Sequence, residues 1–173
     1  MAIINGTEAH DALNGTEDTD TIQGGGGRDA LRGLGGVDAL FGGDRYDVLL
    51  GGTGADLLDG GAGFNLTAYW FDPAAIFVDL QAGAVVDGSG AGDRLVDIEA
   101  VFGTNDADTF RGSVGNDVWS AFTATTPCTA SGATTSWSAT PATTGRMAAT
   151  GTMPSSWRSG GGPGRWRRAR TAS

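Results

Sequence analysis

The sequence predicts an all-β chain of short coils stacked on one another, and three observations carry that expectation. Glycine supplies 31 of 173 residues. An aspartate returns every nine residues through the first third of the chain, and a large aliphatic residue follows it two places later. The period is nine rather than three, which excludes collagen.

The repeat begins at Gly6 and runs without a gap through GTEAHDALN, GTEDTDTIQ, GGGGRDALR, GLGGVDALF, GGDRYDVLL, GGTGADLLD and GGAGFNLTA. The first place is always glycine. The sixth is Asp11, Asp20, Asp29, Asp38, Asp47 and Asp56, then Asn65. The eighth is Leu13, Ile22, Leu31, Leu40, Leu49 and Leu58, then Thr67. Six residues rich in glycine and ending in aspartate suit a turn, because glycine tolerates positive φ and lets carbonyls approach a shared centre. The remaining three suit a very short strand whose middle side chain points inward. One nonapeptide cannot build a core, but stacked coils with aligned Leu and Ile can.

Residues 64–102 leave the nine-residue frame. AYWF, AIFVDLQAG and GDRLVDIEAVFGT alternate apolar and polar residues, as half-buried strands do. Tyr69, Trp70 and Phe71 are expected to cap an open end of the stack, with a ligand platform as the alternative. Two further nonapeptides, GTNDADTFR (103–111) and GSVGNDVWS (112–120), restore the beat and place Asp108 and Asp117 at the sixth position.

Charge divides the chain. All 20 acidic residues lie between Glu8 and Asp117 against five arginines, a net of −15, and from Val118 onward there are six arginines and no acid. Such an acidic head excludes nucleic acid as a partner and favours cations. No apolar run is long enough to span a membrane, and no signal peptide is visible at the N-terminus. A single cysteine, Cys128, rules out an internal disulfide. No acid–base pair, triad or His-rich cluster is left over, so an enzyme is not expected. His10 is expected to face solvent.

The nonapeptides resemble the calcium-binding RTX, or haemolysin-type, repeat G-G-x-G-x-D-x-U-x, where U is large and apolar. The resemblance is continuous over 6–68 and weaker over 103–120. It implies a right-handed parallel β-roll in which two nonapeptides make a turn and Ca²⁺ lies between successive turns of one edge. One edge would carry Asp11, Asp29, Asp47 and Asn65, and the other Asp20, Asp38 and Asp56. Expected metal-site residues are these six aspartates, Asp108 and Asp117, with Gly25, Gly27, Gly36, Gly43, Gly52 and Gly54 supplying carbonyls or room. The best-matched sites are 24–29, 33–38, 42–47 and 51–56, Arg45 is expected to weaken its own, and Asn65 makes the last edge site poorer.

Strands in a sheet are about 4.8 Å apart, so adjacent carboxylates repel by roughly 3 kcal/mol at an effective dielectric near 20. A hard dication reverses that sign, so folding is expected to depend on calcium. The resemblance further implies an extracellular protein, exported in intact relatives by a type I secretion apparatus that reads a C-terminal signal. GGGPGRWRRARTAS does not resemble one. Two alternatives stay open: a fragment of a larger secreted enzyme or toxin with a fused catalytic domain, and an adhesin whose 64–102 region binds cell-surface saccharide.

The expected organisation is therefore a roll over 1–68, an intervening β segment over 69–102, two repeats over 103–120 and a disordered tail over 121–173. The tail keeps the period: ATTPCTASG, ATTSWSATP, ATTGRMAAT and GTMPSSWRS. Gly-Asp-Asp written GGC GAC GAC and read one nucleotide late becomes Ala-Thr-Thr. A frameshift near Trp119 would thus turn further repeats into this tail.

Overall fold

The three residues that follow each repeat aspartate are extended, and the middle one faces inward. A computed structural model describes residues 1–113, 118–121, 128–129, 136–139, 157–159 and 166–168. The first eight strands are β1 (Ile3–Asn5), β2 (Ala12–Asn14), β3 (Thr21–Gly27), β4 (Ala30–Gly35), β5 (Ala39–Arg45), β6 (Val48–Thr53), β7 (Leu57–Gly63) and β8 (Leu66–Ala68). Odd-numbered strands form one parallel sheet and even-numbered strands another. Partners stand eighteen residues apart, as in Ile22↔Leu40, Leu40↔Leu58, Leu31↔Leu49 and Leu49↔Thr67. Two nonapeptides therefore make one coil, and the all-β parallel roll of about six turns matches the expected class.

The inward column fills the space between the sheets. Ile22, Leu31, Leu40, Leu49 and Leu58 are completely buried, each contributing about 1.5–3 kcal/mol of burial. Leu13 and Ile4, in the first coil, are only partly covered, since β1 and β2 are the end strands of their sheets among the described residues.

The intervening segment continues the roll. Here the strands are β9 (Phe77–Asp79), β10 (Ala84–Val86), β11 (Gly92–Val96) and β12 (Ala100–Phe102), followed by β13 (Thr109–Arg111) and β14 (Val118–Ala121). β11 extends the first sheet in parallel with Leu95 opposite Leu58, and β10 then joins it to β9 through antiparallel pairings. β9 hands the sheet on to β13 in parallel, with Val78 opposite Phe110. In the second sheet, β12 sits between β8 and β14, so Val101 faces Thr67 on one side and Trp119 on the other. Phe110 and Trp119 close this part of the core edge to face at 4.7 Å.

Tyr69, Trp70 and Phe71 do not act together as a cap, because both sheets run on past them. Tyr69 lies in the core and donates its hydroxyl to Asp93 Oδ2 at 2.9 Å. Trp70 packs on the outer side of the second sheet against Phe102, and Phe71 is 83% exposed. A shallow concavity beside Phe71 is lined by Arg32, Leu34, Leu50 and Gly52 but not by Trp70.

Beyond residue 121 the described backbone comprises β15 (Cys128–Thr129), β16 (Ser136–Ala139), β17 (Trp157–Ser159) and β18 (Trp166–Arg168). β13 pairs with β15, Phe110 opposite Cys128, and β14 pairs with β16, Trp119 opposite Trp137. Both offsets are again eighteen residues, so the tail's nine-residue period is kept in these strands. The remainder of 121–173 lies outside the described residues, and with it most of the segment expected to be disordered.

Candidate metal sites

Each repeat aspartate ends a glycine-rich turn and begins a strand, which fixes its side chain at the edge of the roll. There the carboxylate works in two directions. Its Oδ1 accepts the main-chain N–H of the aspartate one coil earlier, at 2.8 Å for Asp29 to Asp11, Asp38 to Asp20, Asp47 to Asp29 and Asp56 to Asp38. Its Oδ2 points back over the first glycine of its own turn. A β-carbon on Gly24 would lie 2.6 Å from Asp29 Oδ2, and one on Gly42 would lie 2.6 Å from Asp47 Oδ2. Glycine at place one and aspartate at place six are thus one steric requirement.

The structure brings the expected residues together as two columns. Asp11, Asp29, Asp47 and Asn65 share one edge; Asp20, Asp38 and Asp56 share the other. Asp108 begins another coil, where its Oδ1 accepts the Ile76 N–H at 3.0 Å. Asp117 lies outside the described residues.

Two carboxylates of the columns escape the nonapeptide reading. Asp93 Oδ1 accepts the Asp56 N–H at 2.9 Å, and Glu99 Oε2 accepts the Asn65 N–H at 2.7 Å. Asp93 had a signal in the sequence, since GSGAGDRLV (88–96) has aspartate at its sixth place and leucine at its eighth. Glu99 had no nonapeptide signal, because it stands only six residues further on and uses a longer side chain.

Burial, and like charge after it, raises four of the edge carboxylates. Burial, and then the neighbouring Asp20 and Asp29 charges respectively, hold Asp38 and Asp47 above the usual carboxylate range. Burial pushes Asp56 up to about 6 and Asp93 up to about 7, with the Asp38 and Asp87 charges adding to the first shift and the Asp56 and Asp87 charges to the second. Asp20 is held below its usual value, chiefly by the Thr16 hydroxyl.

A cation fits this arrangement. The Oδ2 atoms of Asp29, Asp38, Asp47 and Asp56 are buried with no hydrogen-bond partner, a costly state for a carboxylate. Around them the second and fourth residues have positive φ, as at Gly25 and Gly27, Gly43, Gly52 and Gly54. Gly43 and Gly52 lie against the Gly25 and Leu34 carbonyls of the coil before, where any side chain would collide. Among the described residues no three acidic, His or Cys side chains gather into a metal site. A cation here would take carboxylate and carbonyl oxygens together, which is the donor set of calcium. Arg45, exposed and at φ 87°, keeps the same backbone despite its side chain. His10 is exposed, its Nδ1 accepting the Arg28 N–H at 2.8 Å.

Among the described residues no helix is long and apolar enough to cross a membrane. Comparison with curated proteins returns no match. Comparison with protein families matches the RTX calcium-binding nonapeptide repeat in four copies, over residues 5–40, 32–66 and 101–118. The matched stretches are the coils whose aspartate columns have just been described: the roll of this chain is built from RTX-type calcium-binding nonapeptide repeats.

Proposed function

We propose that the chain is a calcium-folded module of a secreted protein, with Asp29, Asp38, Asp47 and Asp56 as its principal metal-binding side chains. The observation that carries this reading is the set of four buried Oδ2 atoms without a donor, stacked in columns of like charge. Calcium would supply a hard dication that neutralises them and takes up the adjacent carbonyls.

The chain's own residues make the metal a condition of folding. The Oδ1 ladder joins coil to coil only while the carboxylates stay stacked, and the repulsion of several uncompensated pairs together approaches the whole stability of a small domain. Where calcium is scarce the glycine-turn coils open, and where it is abundant they close around the aliphatic column. RTX repeat proteins are typically secreted, which agrees with a switch of this kind. The roll serves as a folding and export module rather than a catalyst.

Far-UV circular dichroism of the full chain tests this. A β signal that appears on adding millimolar calcium and disappears in EDTA is expected, and magnesium should not replace calcium. Identical spectra in EDTA and calcium would refute the reading.

A further inference from the structure

The turns fall into two classes that the nonapeptide spacing does not separate. Turns beginning at Gly24, Gly33, Gly42 and Gly51 have positive φ at their second and fourth residues and leave Oδ2 without a donor. Turns beginning at Gly6, Gly15 and Gly103 have threonine second, and none of their residues is among those with positive φ.

In these three turns the threonine closes the loop itself. Thr7 donates its N–H and hydroxyl to Asp11 Oδ2 at 2.7 and 2.9 Å. Thr16 does the same for Asp20 Oδ2 at 2.6 and 2.7 Å. Thr104 donates its N–H to Asp108 Oδ2 at 2.9 Å and its hydroxyl to Oδ1 at 2.8 Å. Each hydroxyl oxygen then accepts the N–H two residues on, from Ala9, Asp18 and Asp106. An oxygen that receives two donors has both lone pairs engaged and none left for a cation. Asp11 and Asp20 are in that state, whereas Asp29 and Asp38, one coil further along each edge, are not.

Asn65 closes its turn by different chemistry. Its Oδ1 takes the ladder N–H of Asp47 at 3.1 Å, and its Nδ2 donates to the Asp97 carbonyl at 3.2 Å. An amide donor therefore addresses a carbonyl where the glycine turns leave acceptors only.

We propose that the roll contains two kinds of turn: glycine turns that take calcium through Asp29, Asp38, Asp47 and Asp56, and threonine- or asparagine-closed turns that need no metal. The Thr7 and Thr16 turns form a metal-independent cap on the first coil, the Thr104 turn resumes the nonapeptide turns after the intervening segment, and Asn65 ends the first block of sites. This assignment rests on the calcium reading above and says which turns obey it.

The test is calorimetric titration of the full chain with calcium chloride, joined to hydrogen exchange in saturating calcium. Asp11→Asn with Asp20→Asn should leave the calcium stoichiometry unchanged, and Asp29→Asn with Asp47→Asn should lower it. Writing glycine turns into the cap, with Thr7→Gly, Ala9→Gly, Thr16→Gly and Asp18→Gly together, should raise it. Thr7→Val with Thr16→Val removes only the hydroxyls. It should keep the stoichiometry while amides of residues 11–22 exchange about tenfold faster, the loss expected for a hydrogen bond to a charged group. If the first or last pair lowers calcium uptake as Asp29→Asn with Asp47→Asn does, this assignment is overturned and the calcium reading stands. If the unaltered chain takes up no calcium, both fall.

Discussion

Asp47 Oδ2 lies 2.6 Å from the point that a β-carbon on Gly42 would occupy, with the Gly60 carbonyl 2.7 Å from the same point. The glycine is therefore held there by its neighbours rather than by its dihedral angles. Gly42→Ala should destabilise the calcium-loaded roll by about 1–3 kcal/mol, the usual cost of forcing a methyl into packed backbone. A thermal melt in saturating calcium checks this. A melting temperature within a degree of the parent would show that the carboxylate does not sit over the glycine.

Asp56 and Asp93 are held up to about 6 and about 7 by burial and by their like-charged neighbours. Both values lie above the ordinary carboxylate value near 4. The folded state thus binds more protons than the unfolded state between these limits, and its stability falls as pH rises through them. In EDTA the β signal should strengthen as pH is lowered from about 7 to about 4 and weaken on return. Asp20 is shifted the other way, and its opposing contribution enters only near and below the ordinary value. Circular dichroism across that range decides it, and a metal-free signal that grows with pH would contradict the burial of these two groups.

Leu34 at φ 81° and Arg45 at φ 87° occupy places that glycine fills in the other glycine turns. A side chain in the left-handed region costs roughly 1–2 kcal/mol. Leu34→Gly and Arg45→Gly should each stabilise the loaded roll by up to about 1 kcal/mol, once the greater freedom of glycine in the unfolded chain is subtracted. Chemical denaturation in calcium provides the measurement, and a lowered midpoint for both would show that their side chains contribute more than the backbone strain removes.

The nine-residue period of the tail predicts its origin. The nucleotide sequence beyond the codon of Trp119, read in the alternative frame, should encode Gly-Asp-Asp repeats in phase with Asp108. Stop codons or no such repeats in that frame would end the frameshift explanation.

Much of the roll was legible because a period is a local property. Glycine at place one, aspartate at place six and leucine at place eight repeat within each short segment, so the coil length, the inward column and the two edges follow from spacing. The coils of the intervening segment were not legible in that way. Leu95 and Val101 take their places opposite Leu58 and Thr67 although the chain between Asn65 and Asp93 makes an antiparallel excursion through β9 and β10. Asp93 and Glu99 continue the two ladders because the ladder asks only for a carboxylate oxygen beside a given N–H, whatever the number of residues that delivers it.

By itself, then, the sequence determined that this chain folds into stacked coils with acidic edges and an aliphatic centre, since those features are written in residue type and interval. The tertiary structure decided which carboxylates are left wanting. Whether an Oδ2 is closed by a threonine or buried without a donor depends on the conformation of the second turn residue and on which atoms of the neighbouring coil surround it. Aspartates that are identical in the repeat are thereby made chemically different.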